Sequence, residues 1–439
     1  MYNRKETIAA ICTPPGDGGV AIIRLSGPAA TKIANKIFSG DVASYKSHTV
    51  TYGRMVVGEE MIDDGLCLVM LDDRSYTGEE VVELQCHGGS LVSRRVLEAA
   101  LANGARAALP GEFTFRAFMN GKLDLAQAEA VQEVIGATSE RAVDAAADQL
   151  QGRLSRKIKT FQKELTEIAA ILEAWVDFPE EGIEFATLGE LLTQLTRVRT
   201  MMQQLLDTFH DGRMVSEGIA LCLVGAPNVG KSSLMNALLE KERAIVTHIA
   251  GTTRDLLEDR MRLNGLPVRL IDTAGIRETS EVIEQEGIRR SLQAMEEADL
   301  VLHVRDATRP DEGTEITAPN TLVVWNKVDL VDEVPEGIAI SAKHRTGLDV
   351  LRKKIDAVIW ENGPPARDQV LITSVRHKEA LNRAIAACDK TIEGLRSEIS
   401  PEFLCLDLRE ALLQLGKIIG ADVTEDILSA IFSKFCIGK

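Results

Sequence analysis

Gly225-Ala226-Pro227-Asn228-Val229-Gly230-Lys231-Ser232 follows the apolar run 219–224 and precedes a helical stretch over 233–239. The octet has the form GxxxxGK[ST]. Set between a strand and a helix, this spacing predicts a phosphate cradle. The glycines let successive backbone N–H groups curl around anionic oxygens, Lys231 reaches the outer phosphates, and the Ser232 hydroxyl ligates Mg²⁺. Around the octet, residues 216–362 alternate apolar runs of strand length with helical segments. The runs cover 219–224, 268–271, 300–305, 321–325 and 337–340. Such alternation predicts a parallel sheet covered on both faces.

Three more motifs end strands of this region. Asp272-Thr273-Ala274-Gly275 places a carboxylate near the metal and a glycine N–H near the γ-phosphate. In Asn326-Lys327-Val328-Asp329, Asp329 can accept from both N1–H and the 2-amino group of guanine, a pair that adenine does not supply. Ser341-Ala342-Lys343 can back the base with a main-chain N–H. Together the four resemble the motif set of translation-factor-related GTPases, which makes GTP the expected nucleotide. Ile276 follows Gly275 where Ras-like proteins carry a water-orienting glutamine, and an aliphatic side chain cannot orient water. Catalysis must then draw on another group. Downstream of the loop stands Gly251-Thr252-Thr253-Arg254-Asp255, in which Thr253 is the natural second Mg²⁺ ligand. Asn228, with carbonyls from residues 247–252, can hold a monovalent cation against the β/γ-phosphates, supplying charge that an arginine finger gives elsewhere. The plainer reading of Asn228 is a residue that tightens the loop.

The flanks read differently. Residues 1–118 are α+β in pattern: strands over 8–11 and 20–25, separated by Thr13-Pro14-Pro15-Gly16-Asp17-Gly18-Gly19, then strands over 65–71 and 80–85 and a helix over 90–103 that stops at Asn103-Gly104. From Leu123 the period becomes helical, with Ala126, Ala130, Val131, Val134 and Ile135 at steps of three and four. Further helices are expected over 154–175 and 187–209, parted by Pro179 and Gly182. After Gly363-Pro364-Pro365 the chain is helical again, with the stripe Leu408, Leu412, Leu415 and Ile419. Asp422 or Thr424 is expected to cap a last helix carrying Val423, Ile427 and Ile431. Each helical part leaves an apolar stripe that the other can cover. The expected architecture is therefore multidomain, α/β and α+β. It comprises an N-terminal α+β domain (1–118), a discontinuous helical domain (119–215 and 363–439) and a Ras-like P-loop domain (216–362) inserted between its halves. Two separate helical domains are the alternative.

Composition excludes several classes. Among 439 residues, 50 are Lys or Arg and 66 Asp or Glu, a net charge of −16, which rules out a basic nucleic-acid coat. An apolar fraction of 45% rules out wholesale disorder. No uncharged apolar run reaches the roughly 18 residues of a membrane span, so none is expected, and residues 1–6 lack the order of a signal peptide. The seven cysteines contain no CxxC pair, and an odd count argues against a disulfide framework or zinc knuckle. A reducing, cytoplasmic setting is the expectation. The densest basic stretch is Arg153, Arg156, Lys157, Lys159 and Lys163. It reads as a phosphate-facing helix or as a solvated face balanced by Glu164 and Glu167. Aromatics at 4% leave no RNA module with interleaved rings, so much of any RNA surface would belong to a partner.

Over its whole length the chain resembles the MnmE (TrmE) family of tRNA-modifying GTPases. The resemblance is carried by the nucleotide motifs, by residues 251–255, by the C-terminal Phe435-Cys436-Ile437-Gly438-Lys439, and by residues 10–16, 19–27, 86–89 and 113–130. It implies potassium-stimulated GTP hydrolysis, an N-terminal homodimer, and an N-terminal folate-binding domain for a 5-formyl-tetrahydrofolate-type cofactor. It also implies a flavoprotein partner, MnmG (GidA), in a heterotetramer that places an aminomethyl or carboxymethylaminomethyl group on C5 of the wobble uridine of certain tRNAs. By position, GTP contacts fall on Asn228, Val229, Gly230, Lys231, Ser232 and Ser233; on Thr247, His248, Ile249, Ala250, Gly251, Thr252 and Thr253; on Asp272, Thr273, Ala274 and Gly275; and on Asn326, Lys327, Asp329, Ser341, Ala342 and Lys343. Mg²⁺ falls on Ser232 and Thr253, and K⁺ on Asn228, Thr247, Ile249 and Thr252. The catalytic candidates are Lys231, Glu284, which would position the attacking water, and Cys436. Folate falls on Arg24, Glu83, Lys122 and Lys439. Glu83 can accept from adjacent pterin donors, and Arg24 or Lys122 suits the anionic tail. Cys436 has two readings: a reactive group beside folate and uridine, or a buried small residue among Phe432 and Phe435. Asp17 and Cys86 depart from the family pattern without touching these positions. A ribosome-assembly or signalling switch would fit the nucleotide motifs but leave residues 1–118 unexplained. A folate scaffold with a vestigial GTPase conflicts with intact Lys231, Asp272 and Asp329.

Overall fold

The computed structural model describes residues 5–71, 73–177, 187–239, 261–263, 265–271, 295–311, 316, 318, 320–334, 336–360, 363–366, 368–421 and 423–439. Elements are numbered over these residues. The first sheet is built from β1 (Ile8–Ile11), β2 (Val20–Ser26), β3 (Thr49–Val57), β4 (Glu60–Met70), β5 (Val81–His87) and β6 (Arg106–Ala107) in the order β3-β4-β5-β2-β1-β6. All neighbours are antiparallel except β1 and β6. Helices α1 (Ala30–Ile37) and α2 (Ser90–Ala102) cover one face, where Ile23, Leu25, Val82 and Leu84 meet Ile33, Ile37 and Val96. Because side chains alternate along a strand, Arg24 and Glu83, opposite each other in the β2–β5 register, fall on the other face. The strand expected over 65–71 is the second half of a longer β4. Its hairpin partner β3 has no counterpart in the expected strands.

Six helices follow: α3 (Glu112–Met119), α4 (Leu125–Gly136), α5 (Glu140–Leu150), α6 (Arg153–Asp177), α7 (Leu188–Asp207) and α8 (Phe209–Glu217). Asp124 starts α4 with a capping box: its carboxylate accepts from Gln127 N at 3.0 Å while Gln127 Oε1 accepts from Asp124 N at 3.0 Å. The second sheet then runs through β7 (Ile219–Val224), β8 (Met261–Leu263), β9 (Leu266–Ile271), β10 (Leu300–Asp306), β11 (Thr321–Asn326) and β12 (Ile338–Ala339), with α9 (Lys231–Leu239) after β7 and α10 (Leu348–Ile359) after β12. Its order is β12-β11-β10-β7-β9-β8. Five strands are parallel, as expected. The edge strand β8 departs from that pattern and pairs antiparallel with β9 through a tight hairpin. Asp299 ties this sheet to α8, accepting from Arg213 at 2.6 Å and from Ala220 N at 2.9 Å.

The chain ends in α11 (Val375–Arg396), α12 (Pro401–Ile419) and α13 (Glu425–Phe432). One apolar core joins helices from both sides of the P-loop region: Leu154, Phe161, Leu165 and Leu195 pack with Leu381, Leu408, Leu415 and Ile418. Leu412 and Ile419 lie against the same core, so the stripe on α12 finds its partners in α6 and α11. The helical unit is therefore discontinuous in sequence. Thr424 occupies the N-cap position of α13 but makes no side-chain capping bond, and Val423 precedes that helix.

Glu133 on α4 is half-buried in this unit and accepts from the Thr373 hydroxyl at 2.9 Å. Burial pushes its carboxyl from 4.5 up to about 7, against the Thr373 bond and with help from Glu129 and Glu217. Between those two values the folded chain holds a proton that the unfolded chain has released. The stabilisation from this group is full below 4.5 and is lost as pH rises through about 7. Amide hydrogen exchange in α4, corrected for the intrinsic rate at each pH, should show the decline across that interval, and Glu133→Gln, which cannot ionise, should flatten it.

Candidate functional site

The phosphate loop lies between β7 and α9, as the octet requires. Asn228 is exposed and left-handed at φ 61°, the backbone state that a loop-tightening residue needs. Gly230 has φ 97°, and a Cβ there would stand 2.2 Å from Asn326 Nδ2. That close approach explains the glycine: Asn326 Nδ2 donates to Val229 O at 2.9 Å, and Asn326 Oδ1 accepts from Ala342 N at 3.0 Å. Asn326 thus braces the phosphate loop against the 341–343 loop. Lys231 donates to its own loop, to Gly225 O at 2.7 Å and Ala226 O at 2.9 Å, and burial lowers its pKa. Ser232 and Ser233 are exposed at the start of α9.

On the base side, Asp329 is held by a hydrogen bond from Ser341, which keeps its carboxyl below the ordinary range, and His344 Nε2 stands 3.6 Å away. Val229 and Ala342 are buried, whereas Lys343 is exposed. Ala342 N donates to Asn326 Oδ1, which fixes the 341–343 loop beside Asp329. Lys327 is left-handed at φ 64° and gives its ammonium to Asp306 Oδ2 at 2.5 Å. Thr247, His248, Ile249, Ala250, Gly251, Thr252, Thr253, Asp272, Thr273, Ala274, Gly275, Ile276 and Glu284 lie outside the described residues.

A second constellation forms on the open face of the first sheet. Arg24 Nε donates to Glu83 Oε1 at 2.7 Å, with the guanidinium 5.7 Å from the Tyr76 ring centroid and 5.6 Å from that of Phe113. The C-terminal tail reaches this place from the far end of the chain. Cys12 Sγ donates to Gly438 O at 3.2 Å, Phe113 N donates to Lys439 O at 3.2 Å, and Gly111 N donates to Cys436 O at 3.4 Å. Gly438, at φ 98°, packs so closely that a Cβ would meet Ile11 O at 2.6 Å. Burial pushes the Cys12 thiol up, countered by the charges of Arg24 and Lys439 and reinforced by Glu83. Arg24, Glu83 and Lys439 are therefore brought together. Lys122 is not joined to them: its ammonium donates to Asp73 O, on the loop that also carries Tyr76.

Cys436 is exposed, so the reading of it as a buried small residue gives way; Phe432 and Phe435 turn inward instead. The basic stretch on α6 is largely spoken for. Arg153 pairs with Asp148 at 2.9 Å, Arg156 donates to Gln151 O at 2.8 Å, and Lys163 lies 3.9 Å from Glu167. Sequence reasoning passed over Cys12, Tyr76, Phe113 and Asp306. Cys12 and Phe113 lie in stretches already singled out, but only the fold shows what they face. Among the described residues, no helix is long and apolar enough to cross a membrane.

Comparison with known proteins adds to this geometry. Residues 7–122 match the family described as GTP-binding protein TrmE N-terminus, and residues 125–436 match the MnmE helical domain. A tRNA modification GTPase MnmE from Protochlamydia amoebophila (strain UWE25) is 58% identical over 451 residues, covering 100% of this chain and 98% of its own. One of the same description from Chlamydia pneumoniae is 46% identical over 447 residues, with 99% and 100% covered. Another, from Geobacter sulfurreducens, is 43% identical over 453 residues, with 99% of each chain covered.

Proposed function

The chain belongs to the MnmE family of tRNA modification GTPases, and from that premise we propose that it hydrolyses GTP with potassium stimulation while modifying the wobble uridine of certain tRNAs. The product carries an aminomethyl or carboxymethylaminomethyl group at C5, and the flavoprotein MnmG (GidA) is the partner, in a heterotetramer built on a homodimer of this chain. The observation that carries this reading is similarity along the whole chain, so that the open face of the first sheet and the nucleotide loop belong to one enzyme.

Each unit has residues suited to its part. Asn326 locks the phosphate loop to the 341–343 loop, and Asp329 offers an acceptor for the two donors of guanine. Lys231 neutralises the outer phosphates, and Ser232 with Thr253 would hold Mg²⁺. Asn228, Thr247, Ile249 and Thr252 would hold K⁺, which supplies positive charge where other GTPases insert an arginine. Glu284 orients the attacking water, the task that Ile276 cannot perform.

On the sheet face, Glu83 spends one oxygen on Arg24 and keeps the other for a pterin edge, while the half-buried Tyr76 ring and the buried Phe113 ring flank the Arg24 guanidinium. The donor set suits a folate, which would supply the one-carbon unit when bound, with Arg24 or Lys122 toward its anionic tail. Cys436, exposed on the tail that ends at this face, is the group we assign to chemistry on the base.

Cells lacking the protein should contain tRNA whose wobble uridine has no C5 substituent, read by mass spectrometry of bulk tRNA nucleosides. An intact substituent would reject the reading and leave the ribosome-assembly switch as the better account.

A further inference from the structure

β10 ends on Asp306, whose register partner is Asn326 at the end of β11. None of the four nucleotide motifs includes Asp306, yet its carboxylate is fully engaged. Oδ1 accepts from Thr308 N at 3.0 Å and from Thr308 Oγ1 at 2.7 Å, forming a local turn. Oδ2 accepts from Lys327 Nζ at 2.5 Å. The Asp306 side chain is 13% exposed and that of Lys327 33%, so the pair is partly shielded from water.

Lys327 stands two residues before Asp329, and its left-handed backbone at φ 64° is a costly state for a lysine. Asp329 already has His344 Nε2 at 3.6 Å and feels the charge of Lys343. Release of the Lys327 ammonium from Asp306 would add a further lysine cation on a flexible stem next to the same carboxylate. An ammonium paired with Asp329 would occupy oxygens that must accept from guanine.

We propose that Asp306 is a positioning residue for nucleotide specificity: it holds the Lys327 ammonium away from Asp329 and so keeps that carboxylate open to the N1–H and 2-amino donors of guanine. This inference rests on the assignment of Asp329 as the guanine acceptor made above. A purely structural role, anchoring the turn at Thr308, is the competing account. Asparagine separates the two, since its side-chain oxygen can still serve Thr308 while its amide has no charge with which to hold Lys327.

The test measures binding of GDP and of inosine diphosphate, which lacks the 2-amino group, to the full-length chain by calorimetry. Asp306→Asn should raise the Kd for GDP roughly tenfold, the scale of one hydrogen bond to a charged group. The Kd for inosine diphosphate should rise less, so the preference between the two narrows. In a Lys327→Met background, Asp306→Asn should cause no further loss, because no ammonium remains to stray. Wild-type affinity in Asp306→Asn, equal losses for both nucleotides, or an undiminished loss in the Lys327→Met background would each overturn the proposal. Asp329→Ala, measured alongside, isolates the premise. Unchanged GDP binding there removes the guanine assignment and this inference together. Tight binding by Asp306→Asn beside a weakened Asp329→Ala removes this inference alone.

Discussion

Replacing Arg116 by methionine should weaken the first sheet by about 3–5 kcal/mol, the usual cost of leaving buried carboxylates without their cation. The Arg116 side chain has no exposed surface. Its guanidinium donates to Glu79 Oε2 at 2.9 Å, Glu112 Oε1 at 3.1 Å and Glu6 O at 2.9 Å, joining α3 to the β4–β5 loop and to the entry of β1. Glu112 is also fully buried, and Arg106 reaches it at 2.6 Å from a more exposed position. Methionine preserves most of the stem volume but none of the donors. Arg106, which also pairs with Glu6 at 2.8 Å, can still neutralise Glu112, whereas Glu79 loses its guanidinium partner and retains the Ser26 hydroxyl at 2.8 Å. Unfolding of a chain with several cores is not two-state, so a single melting temperature would blur the effect. Amide hydrogen exchange resolves it: protection of β1, β2 and β5 should fall by a factor of roughly 10² to several times 10³ while α6 and α7 keep theirs. Arg106→Met, which removes a partly exposed cation, should cost much less. Equal protection in Arg116→Met and the parent chain would show that the buried cluster does not hold this sheet together.

How far residues announce structure depends on whether their reason is local. The phosphate loop was legible because GxxxxGK[ST] encodes its own turn, and the stripe on α12 because four apolar residues share one helical face. The hairpin strand β3 escaped because it lies at a sheet edge, where Val50, Tyr52 and Val57 are exposed and the buried side of the alternation reduces to Met55. Helix α5 escaped for another reason: its inward face is Ala142 and Ala146, too small to mark a period against the alanines around them. In the second sheet the edge hairpin of β8 and β9 was hidden by a strand of only three residues. The sheet-face constellation was half legible. Arg24 and Glu83 came by resemblance, but the Cys12 thiol meets Gly438 across a separation of 426 residues, which no periodicity can register. Lys327 makes the same point at shorter range. Its motif names it, while the partner that fixes it, Asp306, is set by strand register between β10 and β11.

Lys231→Ala should lower kcat/KM for GTP by a factor of roughly 10² to 10³, the scale for losing one preorganised cationic donor to a transition state. In the present geometry Lys231 is folded onto Gly225 O and Ala226 O, with burial already disfavouring its charge. Those carbonyls are neutral acceptors. Phosphate oxygens carry charge, so nucleotide entry exchanges two neutral partners for anionic ones and repairs the desolvation that the loop imposes. The exchange is strongest where negative charge is greatest, at the outer phosphates, and it grows as charge develops during transfer. Loss of the ammonium should therefore reduce kcat more than it raises KM. Arginine is a poor replacement: its planar fork is bulkier than the ammonium that sits within hydrogen-bond reach of both Gly225 O and Ala226 O, so Lys231→Arg should recover little. Steady-state GTP turnover in K⁺ buffer distinguishes this from damage to the loop. Collapse of the loop would raise the Kd for GDP by as much as kcat/KM falls. A GDP affinity changed far less than turnover is the expected result, because Asn326 continues to brace Val229 O against Ala342 N whether or not Lys231 is present.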